Sequence, residues 1–232
     1  MIQVVYTPQW FYSKDLLIDT ISALVLLLIA SFSVRYYKLN KKNKNYLYLA
    51  GSFFLIALSF LFKILTNFTI YYKVFVTRHL GNYILTYPTI QVSNILFFVG
   101  FLLFRLLTLL GLYMLYSIYQ KNQSKSNIYL IVFFILILTY FSELEYFIFH
   151  IIALALLALI TLQYYSTYKK NKQSASKFVT ASFAIIGVSQ IFSIFVFYNN
   201  LYYVIAELIQ LVGYLILLTT FIRVLRDAKK KG

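Results

Sequence analysis

Residues 146–170 read YFIFHIIALALLALITLQYYSTYKK. Between His150 and Gln163 there is nothing but Ile, Leu, Ala and one Thr, with no polar face at any period. A helix of about 20 such residues is roughly 30 Å long, the thickness of a bilayer's hydrocarbon core. Tyr164, Tyr165 and Tyr168 follow, an amphipathic belt for the headgroup level, and then Lys169 and Lys170 mark the cytoplasmic side. The same pattern recurs along the chain. It predicts seven membrane helices at Leu16–Val34, Tyr46–Asn67, Val92–Tyr119, Asn127–Ser142, Tyr146–Tyr168, Phe178–Tyr198 and Leu201–Leu225, of which the fourth is the shortest. No stretch is read as alternating at the strand period, and an open sheet could not pair its edges in lipid. The expected fold is therefore all-α and integral to the membrane.

The composition agrees. Of 232 residues, 62% are hydrophobic and 12% charged, against roughly 45–50% and 25% in soluble domains. A water-soluble globule, a disordered chain and a coiled coil are excluded. With no cysteine, so is a disulfide scaffold.

Lys and Arg in the connections set the expected direction of crossing. One side collects Arg35, Lys38, Lys41, Lys42, Lys44, Lys121, Lys125, Lys169, Lys170, Lys172, Lys177, Arg223, Arg226, Lys229, Lys230 and Lys231. The other has Lys14, Lys73 and Arg78, a ratio of 16 to 3, with Lys63 and Arg105 inside spans. This predicts a multi-pass cell-membrane protein, N-terminus outside and C-terminus cytoplasmic, ending in a basic tail at 226–232. The first 13 residues have no basic leader region, so helix 1 is expected to act as its own insertion signal. The net charge of +15 is read as the topology signal facing anionic lipid at the cytoplasmic face, and not as a nucleic-acid surface.

Shifting the chain by 130 positions aligns helices 1–2 with helices 5–6 without a gap. The identities are Ala23/Ala153, Leu24/Leu154, Leu26/Leu156, Leu27/Leu157, Lys42/Lys172, Ser52/Ser182, Phe53/Phe183, Ile56/Ile186, Ser59/Ser189, Phe62/Phe192 and Ile64/Ile194. These are 11 matches in 42 positions, where chance in so biased a composition gives roughly 4. Helix 3 is matched to helix 7 through Val99-Gly100-Phe101-Leu102 and Val212-Gly213-Tyr214-Leu215. The expectation is a single domain with a parallel 3+1+3 repeat: about 15–119, a linker helix at about 127–142, and about 146–225. Compositional bias is the competing explanation.

In topology this arrangement resembles the SWEET and PQ-loop transporters, whose halves are parallel repeats. Those families carry Pro-Gln within a helix of each half, whereas Pro8-Gln9 here precedes helix 1 and helix 5 has no proline. The wording of Arg35-Tyr36-Tyr37-Lys38-Leu39 and Ile209-Gln210-Leu211-Val212-Gly213-Tyr214 resembles multi-pass membrane proteins of small archaeal genomes, a likeness that implies no activity. Leu201–Leu225 has no lysine for a rhodopsin chromophore, and the Asn-Pro of common G-protein-coupled receptors is missing from it.

Charged and amide groups inside spans are the candidate functional residues, because each is expensive in lipid. Arg105 in helix 3 shares a face with Asn94 and Thr108; Glu207 and Gln210 share a face of helix 7. Arg105 is expected to pair with Glu207, with Asp19 as a second partner. The pair either orders the bundle or holds a ligand, a guanidinium being suited to an anionic group. Ser52, Ser59, Lys63 and Thr66 form a stripe on helix 2, matched by Ser182, Ser189 and Ser193 on helix 6 with Gln190 beside them. Close helix packing and a lined cavity are the two readings. Lys63 is expected to snorkel to the outer headgroups, and His150, Glu143, Glu145 and His79 to form a solvated outer rim. The 24 residues Phe68–Gln91 are the one long connection.

No nucleophilic Cys, Gly-x-Ser-x-Gly or phosphate-binding loop occurs, so no enzyme and no cofactor is expected. The candidate ligand residues are Arg105, Glu207, Gln210, Gln190, Asn94 and Asp19. Together they suggest an inter-helix site that binds or transports a small solute, an anion or a lipid included. The alternative is a sensor or assembly subunit acting through partner membrane proteins.

Overall fold

In the computed structural model, residues 7–39, 43–71, 75–80, 83–88, 90–118, 120, 125–141 and 146–230 are described. The apolar runs form α1 (Lys14–Leu39), α2 (Asn45–Tyr71), α3 (Ile90–Ser117), α4 (Lys125–Phe141), α5 (Tyr146–Asn171), α6 (Ser174–Ile194) and α7 (Leu201–Lys230). All but α4 are long and apolar enough to cross a membrane. The apolar part of α4, Ile128–Phe141, spans about 21 Å at 1.5 Å per residue, short of the roughly 30 Å core. Local chemistry explains several boundaries. Asn43 and Asn199 side chains accept the N–H groups of Asn45 (3.1 Å) and Leu201 (2.9 Å) at the starts of α2 and α7. Lys172 adopts φ 49° while its N–H bonds Tyr168 O at 2.7 Å, which closes α5 and turns the chain into α6.

Two expectations change. The connection after α2 is not a plain loop: β1 (Phe75–Leu80) pairs antiparallel with β2 (Tyr83–Pro88), from Phe75↔Pro88 to Leu80↔Tyr83. The sequence carried the signal, two runs rich in aromatic and β-branched residues around Gly81-Asn82. The fold is thus helical with one two-stranded hairpin. The basic tail, through Lys230, is a continuation of α7. Lys41, Lys42, Lys73, Lys121 and Lys231 lie outside the described residues.

The helices pack as two triplets. α2 lies between α1 and α3, α6 between α5 and α7, and the triplets meet through α1 against α7 and α3 against α5; α4 packs on α3 and touches α5 lightly. Leu26, Phe53, Phe60, Leu109, Leu157 and Leu217 are fully enclosed in a shared core. Small residues allow the close approach. A β-carbon at Gly111 would come within 2.5 Å of Ile56 Cγ1 and 3.0 Å of Ser52 O; at Gly213, within 2.5 Å of Ile186 Cγ1 and 3.2 Å of Ser182 O. The serine stripes belong to these contacts. Ser52, Ser59, Ser182 and Ser189 are fully buried and donate to carbonyls of their own helices, and Thr108 Oγ1 donates to Ser59 Oγ at 2.8 Å. That favours packing over a lined cavity for the stripe. Outside the bundle, Leu24, Phe54, Leu65, Phe133, Leu162 and Leu208 are exposed, an apolar surface suited to lipid tails.

The short 3-10 turn Gln9–Phe11 precedes α1 and tucks inward. Phe11 is buried with Ile18, Val196, Tyr203 and Val204, so α1 and α7 start at the same end of the bundle. α2 ends near it and leads into the hairpin.

Candidate functional site

At this hairpin end, six helices bury strongly polar side chains: Asp15 and Asp19 (α1), Lys63 and Asn67 (α2), Arg105 (α3), His150 (α5), Gln190 (α6) and Glu207 (α7), each between 0% and 7% exposed. Apart from Arg105, each sits within about two turns of its helix end.

The centre is Lys63. Its ammonium donates to Asp19 Oδ1 at 2.8 Å and to Glu207 Oε1 at 2.6 Å. Three rings surround it, with centroids 5.7 Å (Phe60), 5.8 Å (Phe104) and 5.8 Å (Tyr203) from Nζ, within reach of cation–π attraction. Two carboxylates and three aromatic faces are a complete chemical environment for an ammonium, which is why the side chain does not snorkel. Asp15 stands one turn before Asp19; its Oδ2 accepts Asn67 Nδ2 at 3.2 Å and its Oδ1 the N–H of Leu16 at 2.8 Å. Asp19 Oδ2 is buried and has no hydrogen-bond partner among the described residues.

Beside it, His150 Nδ1–H donates to Gln190 Oε1 at 2.8 Å, and Gln190 Nε2 donates to Ser189 Oγ at 3.1 Å. With Nδ1 as the donor, the neutral ring presents Nε2 as an acceptor, and Nε2 is buried without a partner among the described residues. His150 lies between the rings of Tyr146 (4.6 Å) and Phe149 (4.9 Å). Tyr146 also faces the Arg105 guanidinium at 5.9 Å, with Phe101 at 5.4 Å. Phe104 joins the two clusters, meeting Phe60 at 6.3 Å and Phe149 at 5.5 Å.

The expected residues therefore divide. Asp19 and Glu207 do come together, but the cation between them is Lys63, where Arg105 was expected. Gln190 is part of the site as the partner of His150, a residue expected on a solvated rim. Gln210 stands apart, half-buried, its Nε2 bonded to Tyr214 OH at 3.1 Å. Asn94 lies in α3, and its side chain falls outside the described residues, as do Glu143, Glu145 and the side chain of His79. Lys63 was missed because one cation in an apolar helix reads as a snorkelling residue. The discriminating signal was the polar line Ser59, Lys63, Thr66, Asn67 at helical spacing, all now buried. No family model, curated protein or solved structure matches the chain.

Proposed function

We propose that this protein is a seven-helix membrane protein, N-terminus outside and C-terminus cytoplasmic, built as a parallel 3+1+3 repeat, whose polar layer binds or transports a small solute. The 16-to-3 division of Lys and Arg supports the direction. α4 would complete the crossings as the inverting linker, and the basic connections would lie against anionic cytoplasmic lipid.

Support for the repeat is the symmetry of neighbours. Exchanging α1 with α5, α2 with α6 and α3 with α7 turns every principal helix pair into another pair in contact: α1·α2 into α5·α6, α2·α3 into α6·α7, α1·α7 into α3·α5. The glycine contacts favour a different register for α3 and α7 from that of Val99–Leu102 and Val212–Leu215. Gly111 meets Ser52 and Ile56 as Gly213 meets Ser182 and Ile186, whereas Gly100 meets Thr66 and Phe62. The offset is then 102, which matches Leu115 with Leu217, Thr108 with Gln210 and Arg105 with Glu207. Under the same exchange Lys63 falls on Ser193 and Asp19 on Phe149. The charges are thus individual to each half, laid on a common frame.

The observation that carries the solute reading is the pair of open acceptors, Asp19 Oδ2 and His150 Nε2, inside a layer fed by six helices. A cluster serving only to join helices satisfies its buried polar atoms. Both open atoms are acceptors, so they favour a solute bearing N–H or O–H donors over the anion that Arg105 alone suggests. Native mass spectrometry of protein extracted gently from its own membrane tests this. A small molecule that co-purifies with wild type and is lost from His150→Phe, a folded variant, supports the site. An empty bundle with a stoichiometric second polypeptide would replace it with the subunit reading, which α4 favours: it touches α5 only lightly and exposes Tyr129, Leu130, Phe133 and Phe134.

A further inference from the structure

The charges of the Lys63 cluster do not balance. Asp19 and Glu207 bring two negative charges and Lys63 one positive charge, all at most 7% exposed, so the triad as drawn carries a surplus negative charge out of water. An uncompensated buried charge is expensive and is normally neutralised by a proton or a bound ion. The open atom that could receive either is also identified: Asp19 is fully enclosed, one oxygen is taken by Lys63, and Oδ2 has no partner among the described residues. Glu207, by contrast, keeps slight exposure. The ionisable groups facing Asp19 are Asp15 on its own helix, Lys63 on α2, and Glu207 and Tyr203 on α7, while the Phe60 and Phe104 rings flank the Lys63 ammonium. Asp15 and Glu207 add negative charge nearby, which strengthens the attraction for a cation.

We infer that the Asp19–Lys63–Glu207 cluster binds one exchangeable monovalent positive charge, a proton or an alkali cation, with Asp19 Oδ2 as the receiving atom. A proton converts the carboxylate to a neutral acid; an alkali ion pairs with it; either brings the triad to zero net charge. Neutralising Asp19 leaves Lys63 held chiefly by Glu207. That loosens α1 from the α2–α7 contact between the two triplets, and so gives the bound charge a mechanical consequence. The inference deepens the solute-site reading and rests on it for any coupling to a solute. The test below uses no solute, so the two can fail separately.

Infrared difference spectroscopy on the full chain in lipid nanodiscs, in a choline chloride buffer, reads the carboxyl groups directly. A protonated-acid carbonyl band that titrates with pH, is absent from Asp19→Asn and moves in Asp19→Glu assigns the proton. If instead NaCl or KCl shifts the carboxylate bands saturably in wild type and not in Asp19→Asn, the charge is an alkali cation. Glu207→Gln, which removes the surplus negative charge while leaving Asp19 its lysine, weakens the response in either case, and a response that it leaves unchanged overturns the charge argument. A spectrum unmoved by pH and by both salts overturns the inference, as does a band that persists unchanged in Asp19→Asn and Asp19→Glu.

Discussion

Replacing Lys63 with Met keeps most of the side chain's volume and its packing against Phe60, Phe104 and Tyr203, and removes only the ammonium. Asp19 and Glu207 are then left buried at the junction of α1, α2 and α7 without the donor that now stands 2.8 Å and 2.6 Å from them. Removing one partner of a buried ion pair costs about 3–5 kcal/mol, mostly the penalty of the stranded charge. For a chain of this size, each kcal/mol corresponds to about 2–4 °C in Tm, so Lys63→Met is expected to lower Tm by about 6 to 20 °C. The assay is thermal unfolding of purified protein in nanodiscs, followed by intrinsic fluorescence or circular dichroism. The loss should shrink in acid, where neutral carboxyl groups need no counter-ion. The triple variant Lys63→Met, Asp19→Asn, Glu207→Gln should recover most of it, because removing all partners together strands nothing. A Tm for Lys63→Met within 2 °C or so of wild type would refute the reasoning and return Lys63 to the headgroups.

Further expectations follow from the packing and the topology. Gly111→Val and Gly213→Val should each cost about 1–3 kcal/mol by overpacking against Ile56 and Ile186, whereas Gly187→Ala, whose β-carbon would meet nothing nearer than 3.8 Å, should be close to neutral in the same melts. His150→Leu leaves Gln190 Oε1 without its donor and should destabilise by about 1–3 kcal/mol, with Gln190 changed as well relieving part of it in a double-mutant cycle. The chain has no cysteine, so single cysteines report without background. At Lys172 a membrane-impermeant maleimide should label only after permeabilisation, and at Asn200 it should label in intact cells; the reverse pattern would invert the proposed orientation.

Most of the architecture was legible along the chain, because burial in lipid is a sum over consecutive residues. Ile151–Leu162 is apolar whichever way its helix turns, and helix length follows from the run itself. The same uniformity hides the interior. In water, an amphipathic stripe marks a helix's buried face; in lipid, Leu24 and Phe54 face outward as readily as Leu26 and Phe53 face inward, so the pattern does not say how a helix is rotated. The hairpin was legible around Gly81-Asn82 but was overshadowed by the expectation of helices. Sequence alone therefore determined which segments are apolar helices, and that Asp19, Arg105 and Glu207 would have to find partners, while it left Lys63 to the headgroups. Which partner each finds was decided only in three dimensions. Lys63 meets Asp19 across 44 positions and Glu207 across 144 because α1, α2 and α7 turn those faces to one point, where a short stem among three rings reaches two carboxylates more readily than it reaches water.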